Sequence, residues 1–200
     1  MKRSVFVIGL TGSIGMGKST AAQMLRQMGL PVFDADAVVH QLMNKGGAAV
    51  QAVEEAFPGV VVDGAVSRPE LGKRVFGDTA ALRRLERILH PRVGEAEQAF
   101  LADTARRRIG YAVRDVPLLF ETGGNKRCDA TIVVSAPPHI QRARVLARPG
   151  MTEERLQQVL AKQMPDARKR HLADYVVPSG MGRRVTREAL AAVLRDIRGW

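Results

Sequence analysis

The sequence predicts a doubly wound α/β fold, a parallel sheet wrapped by helices. Three observations carry that reading. Apolar, β-branched runs recur at 4–10, 110–116, 129–135 and 174–177, and the first is continuous enough to suit a strand buried on both faces of a parallel sheet. Helical patterns separate these runs. The first run passes through a glycine-rich loop into a helix and then a second short strand, a βαβ unit at the N-terminus.

The elements follow in order. Ser4 to Leu10 is the first strand, and a helix over 19–28 ends at Gly29 with Pro31 just beyond. Val32-Phe33 is a short strand closing on Asp34-Ala35-Asp36, from which a helix is expected to run from Ala37. Residues 37–107 read as mostly helical: 48–57, 69–76, then 79–89 behind Asp78 as N-cap, with Pro91 opening a separate amphipathic run toward Arg108. After the strands at 110–116 and 129–135 come helices at 138–147 and behind Thr152, whose first turn carries Glu153 and Glu154. A short strand at 174–177 precedes a last helix starting at Thr186, with Ala189, Val193 and Ile197 on its apolar stripe. The expected division is a core of about 1–36, 110–137 and 173–200, a helical insertion at about 37–109 and a lid at about 138–172.

At 200 residues and 46% hydrophobic, the chain can bury a core without covalent staples. Cys128 is solitary, which excludes a disulfide framework and favours a reducing, cytoplasmic location. No apolar run is long enough to cross a membrane, and Met1-Lys2-Arg3 leads into glycines rather than a cleavable signal. The net charge of +11 is lopsided: residues 1–100 carry 12 Lys/Arg against 10 Asp/Glu, residues 101–200 carry 19 against 10. Such an excess suits a polyanionic partner, a phosphorylated small molecule or a nucleic acid, or serves only solubility. Aromatic residues make up 4% and do not interleave with the basic ones, so base stacking has little support and no nucleic acid is expected. A monomer or weak homo-oligomer is expected.

Gly12-Ser-Ile-Gly-Met-Gly-Lys18-Ser19 matches G-x-x-x-x-G-K-[ST], between an apolar strand and a helix as the mechanism requires. Glycines let successive backbone N–H groups turn inward, and the helix start adds its positive dipole end. That cavity takes the phosphates of ATP. Gly12, Gly15 and Gly17 supply the wrap, Lys18 reaches the β- and γ-phosphates, the Ser19 hydroxyl ligates Mg2+, and Thr20 adds a phosphate contact. A GTPase reading fails, because in Asn125-Lys-Arg-Cys-Asp129 the aspartate comes one residue late. A large ATPase reading wants an apolar strand ending in an acid. Asp115 is a candidate, but Arg114 breaks the apolar pattern of its strand. A small-molecule kinase fits best, with an ATP-regulated nucleic-acid-binding protein as the alternative from another class.

A kinase needs a carboxylate to accept or orient the acceptor's proton, and ligands bind beyond the carboxyl ends of such strands. Asp34 is positioned for this; Asp36, also on the acceptor side, is the more obvious cap for the helix from Ala37. Arg148-Pro-Gly-Met-Thr and the basic helical stretch around it read as a lid, with Arg144 and Arg148 as the phosphate contacts.

The phosphate loop, Asp34-Ala-Asp36, Arg68-x-x-Leu71 with Val75-Phe76, Leu89-His90-Pro91, Asp115-Val-Pro-Leu-Leu-Phe-Glu121, Gln163-Met164-Pro165 and Ala173-Asp174-Tyr175 occur in one order over nearly the whole chain. Together they resemble the dephospho-CoA kinase family. The resemblance implies a P-loop kinase-like core, a helical acceptor-side domain and a mobile lid. It also implies ATP-dependent phosphorylation of the ribose 3′-hydroxyl of dephospho-CoA, the last step of coenzyme A synthesis, with ATP bound by Gly15 to Thr20 and Asp34 as base. It puts His90, Leu118 and Glu121 in the acceptor pocket or its support. Another small-molecule or nucleoside monophosphate kinase is the nearest alternative.

Overall fold

A computed structural model describes residues 5–198. The expected start of the first strand at Ser4 and the Met1-Lys2-Arg3 segment lie outside the described residues. Seven strands and nine α-helices are formed among those described: β1 (Phe6–Thr11), α1 (Lys18–Gln27), β2 (Val32–Asp34), α2 (Ala35–Met43), α3 (Val50–Ala56), β3 (Val61–Val62), β4 (Ala65–Val66), α4 (Arg68–Val75), α5 (Thr79–Arg106), β5 (Tyr111–Asp115), β6 (Ala130–Ser135), α6 (Pro138–Leu146), α7 (Glu153–Lys162), α8 (Asp166–Leu172), β7 (Tyr175–Pro178) and α9 (Arg183–Arg198).

Two compact units result, residues 1–33 with 104–200, and residues 34–103. The first holds most of a five-stranded sheet in the order β2-β5-β1-β6-β7. β1 pairs parallel with β5 and β6, and β6 with β7, so Thr11, Asp115, Ser135 and Pro178 end their strands along one edge. The chain leaves β1 for β2, past β5, which makes the β1/β5 boundary a topological switch point where ligands bind. All six residues of β6 are buried, as a strand covered on both faces requires. Ile8, Leu10, Val113, Ile132, Val134 and Val177 pack with Leu25 of α1 and Leu190 and Leu194 of α9. Ala189 and Ile197 of the expected stripe sit partly buried beside them.

The second unit is built on Val53, Phe57, Val60, Leu71, Leu85 and Leu89. Three features of it differ from or add to expectation. First, Pro91 does not open a new helix; it lies inside a continuous α5. A proline cannot donate to the preceding turn and crowds its carbonyls. Beside it, Arg92 donates from its guanidinium to the Ile88 carbonyl at 2.7 Å and to the Ala48 carbonyl at 3.1 Å, tying this turn of α5 to the chain just ahead of α3. Second, the mostly helical region also holds a hairpin that the sequence did not single out: β3 and β4 pair antiparallel around Asp63 and Gly64, both at positive φ, the geometry of a type I′ turn. Third, α2 begins at Ala35 rather than Ala37, and its cap is Asp34, whose Oδ1 accepts the Ala37 N–H at 3.0 Å. Asp34 has the extended backbone an N-cap needs because it is still the last residue of a strand. In the first unit, α9 likewise starts at Arg183, before Thr186, whose hydroxyl lies 3.0 Å from the Pro178 carbonyl.

Candidate active site

β1 ends at Thr11, and the six residues from Gly12 to Gly17 lead into α1 at Lys18. Gly17 is the N-cap, at φ 87, and no side chain caps the helix. The first N–H groups of a helix lack intrahelical partners, so an uncapped start presents donors and a positive dipole end to an anion. Gly15 also sits at positive φ, and a Cβ there would come within 2.6 Å of the Val145 side chain, so only glycine fits. The Met16 side chain is buried and its sulfur accepts the Ala136 N–H at 3.1 Å, so what Met16 offers a nucleotide is main chain. Ser19 is exposed at the start of α1, with Thr20 half-buried after it.

Lys18 reaches across the switch point. Its Nζ lies 2.6 Å from Asp115 Oδ1, with the lysine side chain 16% and the aspartate 3% exposed. Asp115 is the residue that sequence reasoning undervalued. It ends the strand beside the loop, but Arg114 obscured the pattern. Arg114 is itself buried and donates to the Gly124 carbonyl at 3.2 Å, a structural duty compatible with a buried strand.

A second ion pair lies behind the loop. Lys169, fully buried on α8, pairs with Glu121 at 2.9 Å and donates to the Pro117 carbonyl at 3.2 Å. The same carbonyl accepts the Thr11 hydroxyl at 2.9 Å, and Glu121 Oε1 accepts the Met164 N–H at 2.8 Å. Burial pushes the Glu121 carboxyl up, but the Lys169 ammonium and the Met164 amide outweigh it and hold the group below its ordinary value. Leu118 is exposed, while Leu119 and Phe120 are buried.

Side chains distant in sequence hold the loop. Gln163 Oε1 accepts the Ile14 N–H at 3.0 Å, and Gln141 Nε2 donates to the Ile14 carbonyl at 2.8 Å. Arg144 donates to the Gly15 carbonyl at 3.4 Å, to the Ser179 hydroxyl at 3.1 Å and to the Ser179 carbonyl at 2.7 Å. Ser179 Oγ donates to the Met16 carbonyl at 2.6 Å. Arg144 therefore stands at the loop; Arg148 is exposed in the turn after α6. Ser179 and Gln141 carried no local signal, and Gln163 stood out only within the Gln163-Met164-Pro165 block of the family resemblance.

In the second unit, Asp34 is half-buried and Asp36 exposed in the first turn of α2. His90 lines a groove of about 420 Å³ with Ala80, Arg83, Glu86 and Arg87, successive turns of α5.

Among the described residues no cluster of three or more His, Cys, Asp or Glu forms a self-contained metal site. Magnesium bound with phosphates needs only one or two protein oxygens. The Ser19 hydroxyl and the buried Asp115 carboxylate are hard oxygen donors at the two elements that meet here, so the donor set fits. No described helix is long and apolar enough to cross a membrane.

The dephospho-CoA kinase family model matches residues 6–182. A protein named dephospho-CoA kinase from Paramagnetospirillum magneticum is 65% identical over 82% of this chain and 77% of its own length. One from Mesorhizobium japonicum is 53% identical over 98% of each chain. Among solved structures, TT1252 from Thermus thermophilus superposes with a TM-score of 0.83 at 34% identity, covering 96% of this chain and 98% of that one.

Proposed function

The chain belongs to the dephospho-CoA kinase family, and from that premise we propose that it transfers the γ-phosphoryl group of ATP to the ribose 3′-hydroxyl of dephospho-CoA, giving coenzyme A and ADP. The observation that carries the reading is the uncapped helix start behind Gly12–Gly17 with Lys18 at its head, beside a buried carboxylate at the sheet's switch point. In this reading the 3′-oxygen forms the new bond to the γ-phosphorus as the bond to the ADP oxygen breaks, and the hydroxyl proton passes to Asp34. Lys18 and the loop amides hold the β- and γ-phosphates. Ser19, with Asp115 behind it, would hold Mg2+, which neutralises phosphate charge when bound.

The remaining assignments have unequal support. Arg144 is close to the loop backbone, and Arg148 would reach the phosphates only as the 138–172 segment closes. The base assignment of Asp34 is supported by its place at the carboxyl end of β2, and its Oδ1 caps α2. Asp36 and His90, both exposed, belong to the acceptor side, as does Leu118. Glu121 belongs to that pocket or its support, with its Oε1 engaged by Lys169 and Met164.

The test is ADP release measured with dephospho-CoA, shikimate and nucleoside monophosphates as acceptors, followed by 31P NMR of the product. A high kcat/KM with dephospho-CoA alone and a new ribose 3′-phosphate are expected; equal or better turnover of another acceptor contradicts the proposal. Asp34→Asn should lower kcat by about 10²-fold or more while ATP still binds. Near-normal turnover would remove Asp34 from the chemistry.

A further inference from the structure

The phosphate loop is gripped from outside, carbonyl by carbonyl. Ile14 O is held by Gln141, Gly15 O by Arg144 and Met16 O by Ser179. In a trans peptide the C=O and the N–H of the next residue point in opposite directions. Pinning Ile14 O outward therefore turns the Gly15 N–H inward, and pinning Met16 O outward does the same for the Gly17 N–H. The amide between them differs, because the Met16 N–H closes a turn on Ser13 O at 3.1 Å. Gln163 takes the Ile14 N–H out of the cradle altogether.

We propose that Gln141 and Ser179 are positioning residues for ATP: they fix the Gly15 and Gly17 amides toward the triphosphate before it arrives. A loop with two glycines at positive φ has many alternatives to this arrangement, and each alternative sampled lowers affinity by the fraction of time lost to it. Both residues suit the task. Gln141 is 8% and Ser179 7% exposed, so their hydrogen bonds face little competition from water. They come from separate elements, α6 and the segment after β7, so the loop is held from two directions. The segment containing Ser179 follows β7, where a contact to the nucleoside would be an equally simple expectation. The geometry assigns it instead to the phosphate end, through Met16 O and a shared bond with Arg144.

The inference rests on the proposed kinase reading only in taking ATP as the ligand, and the binding measurement that decides it needs no acceptor. ATP and inorganic triphosphate, each with Mg2+, are titrated calorimetrically into the wild-type chain, Ser179→Ala and Gln141→Met. Each variant should weaken both ligands in parallel by about fivefold to tenfold, the loss expected for one well-made hydrogen bond or slightly more. The KM for dephospho-CoA should move by less than about twofold, which a general loss of structure would not spare. Unchanged affinity for both ligands overturns the proposal. So does weakening of ATP with inorganic triphosphate unaffected, which would put Ser179 on the nucleoside side. Should one variant fail to fold, the other decides. If dephospho-CoA is not phosphorylated while both losses are seen, the substrate reading falls and this inference stands.

Discussion

Two lysine–carboxylate pairs lie near the same edge of the sheet, and they differ in what surrounds them. Lys18–Asp115 joins the phosphate loop to the end of β5 at 2.6 Å, and its lysine is 16% exposed. Lys169–Glu121 joins α8 to the loop after β5 at 2.9 Å, and its lysine is fully buried, with Pro117 O as a further acceptor and Met164 N on the glutamate. The first pair has a partly exposed lysine at the head of an uncapped helix start, so on the proposed reading a phosphate replaces Asp115 as its partner. The second has no such access. One interaction type thus serves as an exchangeable clasp in one place and a fixed brace in the other, and exposure with backbone partners decides which.

The contrast breaks most sharply at Lys18. Lys18→Met should reduce kcat/KM by roughly 10²–10³-fold, the cost of losing one preorganised partner for developing phosphate charge, and steady-state kinetics with ATP varied measures it. An equal loss from Lys169→Met in a chain of unchanged stability would show that the two pairs do the same work. Next comes Glu121→Gln, which leaves the Lys169 ammonium buried beside a neutral amide. It should cost about 3 kcal/mol of unfolding free energy, read by urea denaturation, with ATP affinity much less affected. The smallest effect is on pH dependence. The Glu121 carboxyl is held below its ordinary value of 4.5, so its stabilisation is fully present above that value and is lost as pH falls through the lower, folded-state value. Urea midpoints followed down to about pH 3 should fall more steeply for wild type than for Glu121→Gln, which lacks this titration; parallel curves would show that Glu121 is not braced as described.

What the sequence showed follows the range of each interaction. The phosphate loop and the start of α1 are written in eight consecutive residues, and the strands ending at Thr11 and Ser135 in largely apolar runs. The Asp63-Gly64 hairpin was also local, but its two-residue strands are too short to stand out between helices. The continuity of α5 through Pro91 was not legible, because a proline marks a helix start and a mid-helix kink with the same residue, and only tertiary packing separates the two. Asp34 as the cap of α2 was misread by two residues because no loop separates β2 from the helix. Around the candidate site, the residues proposed to bind phosphate follow a local motif, whereas the contacts that shape the loop come from far along the chain. Ser179 and Gln163 meet the loop across 163 and 149 positions of chain, where no periodicity or spacing can signal contact.

The exchangeable clasp is tested most directly by a crystal structure with Mg2+ and a non-hydrolysable ATP analogue. Lys18 Nζ should leave Asp115, opening the 2.6 Å contact beyond 4.0 Å to reach the β- and γ-phosphates, while Lys169 and Glu121 remain at 2.9 Å. Lys18 still paired with Asp115 beside a bound triphosphate would contradict the account.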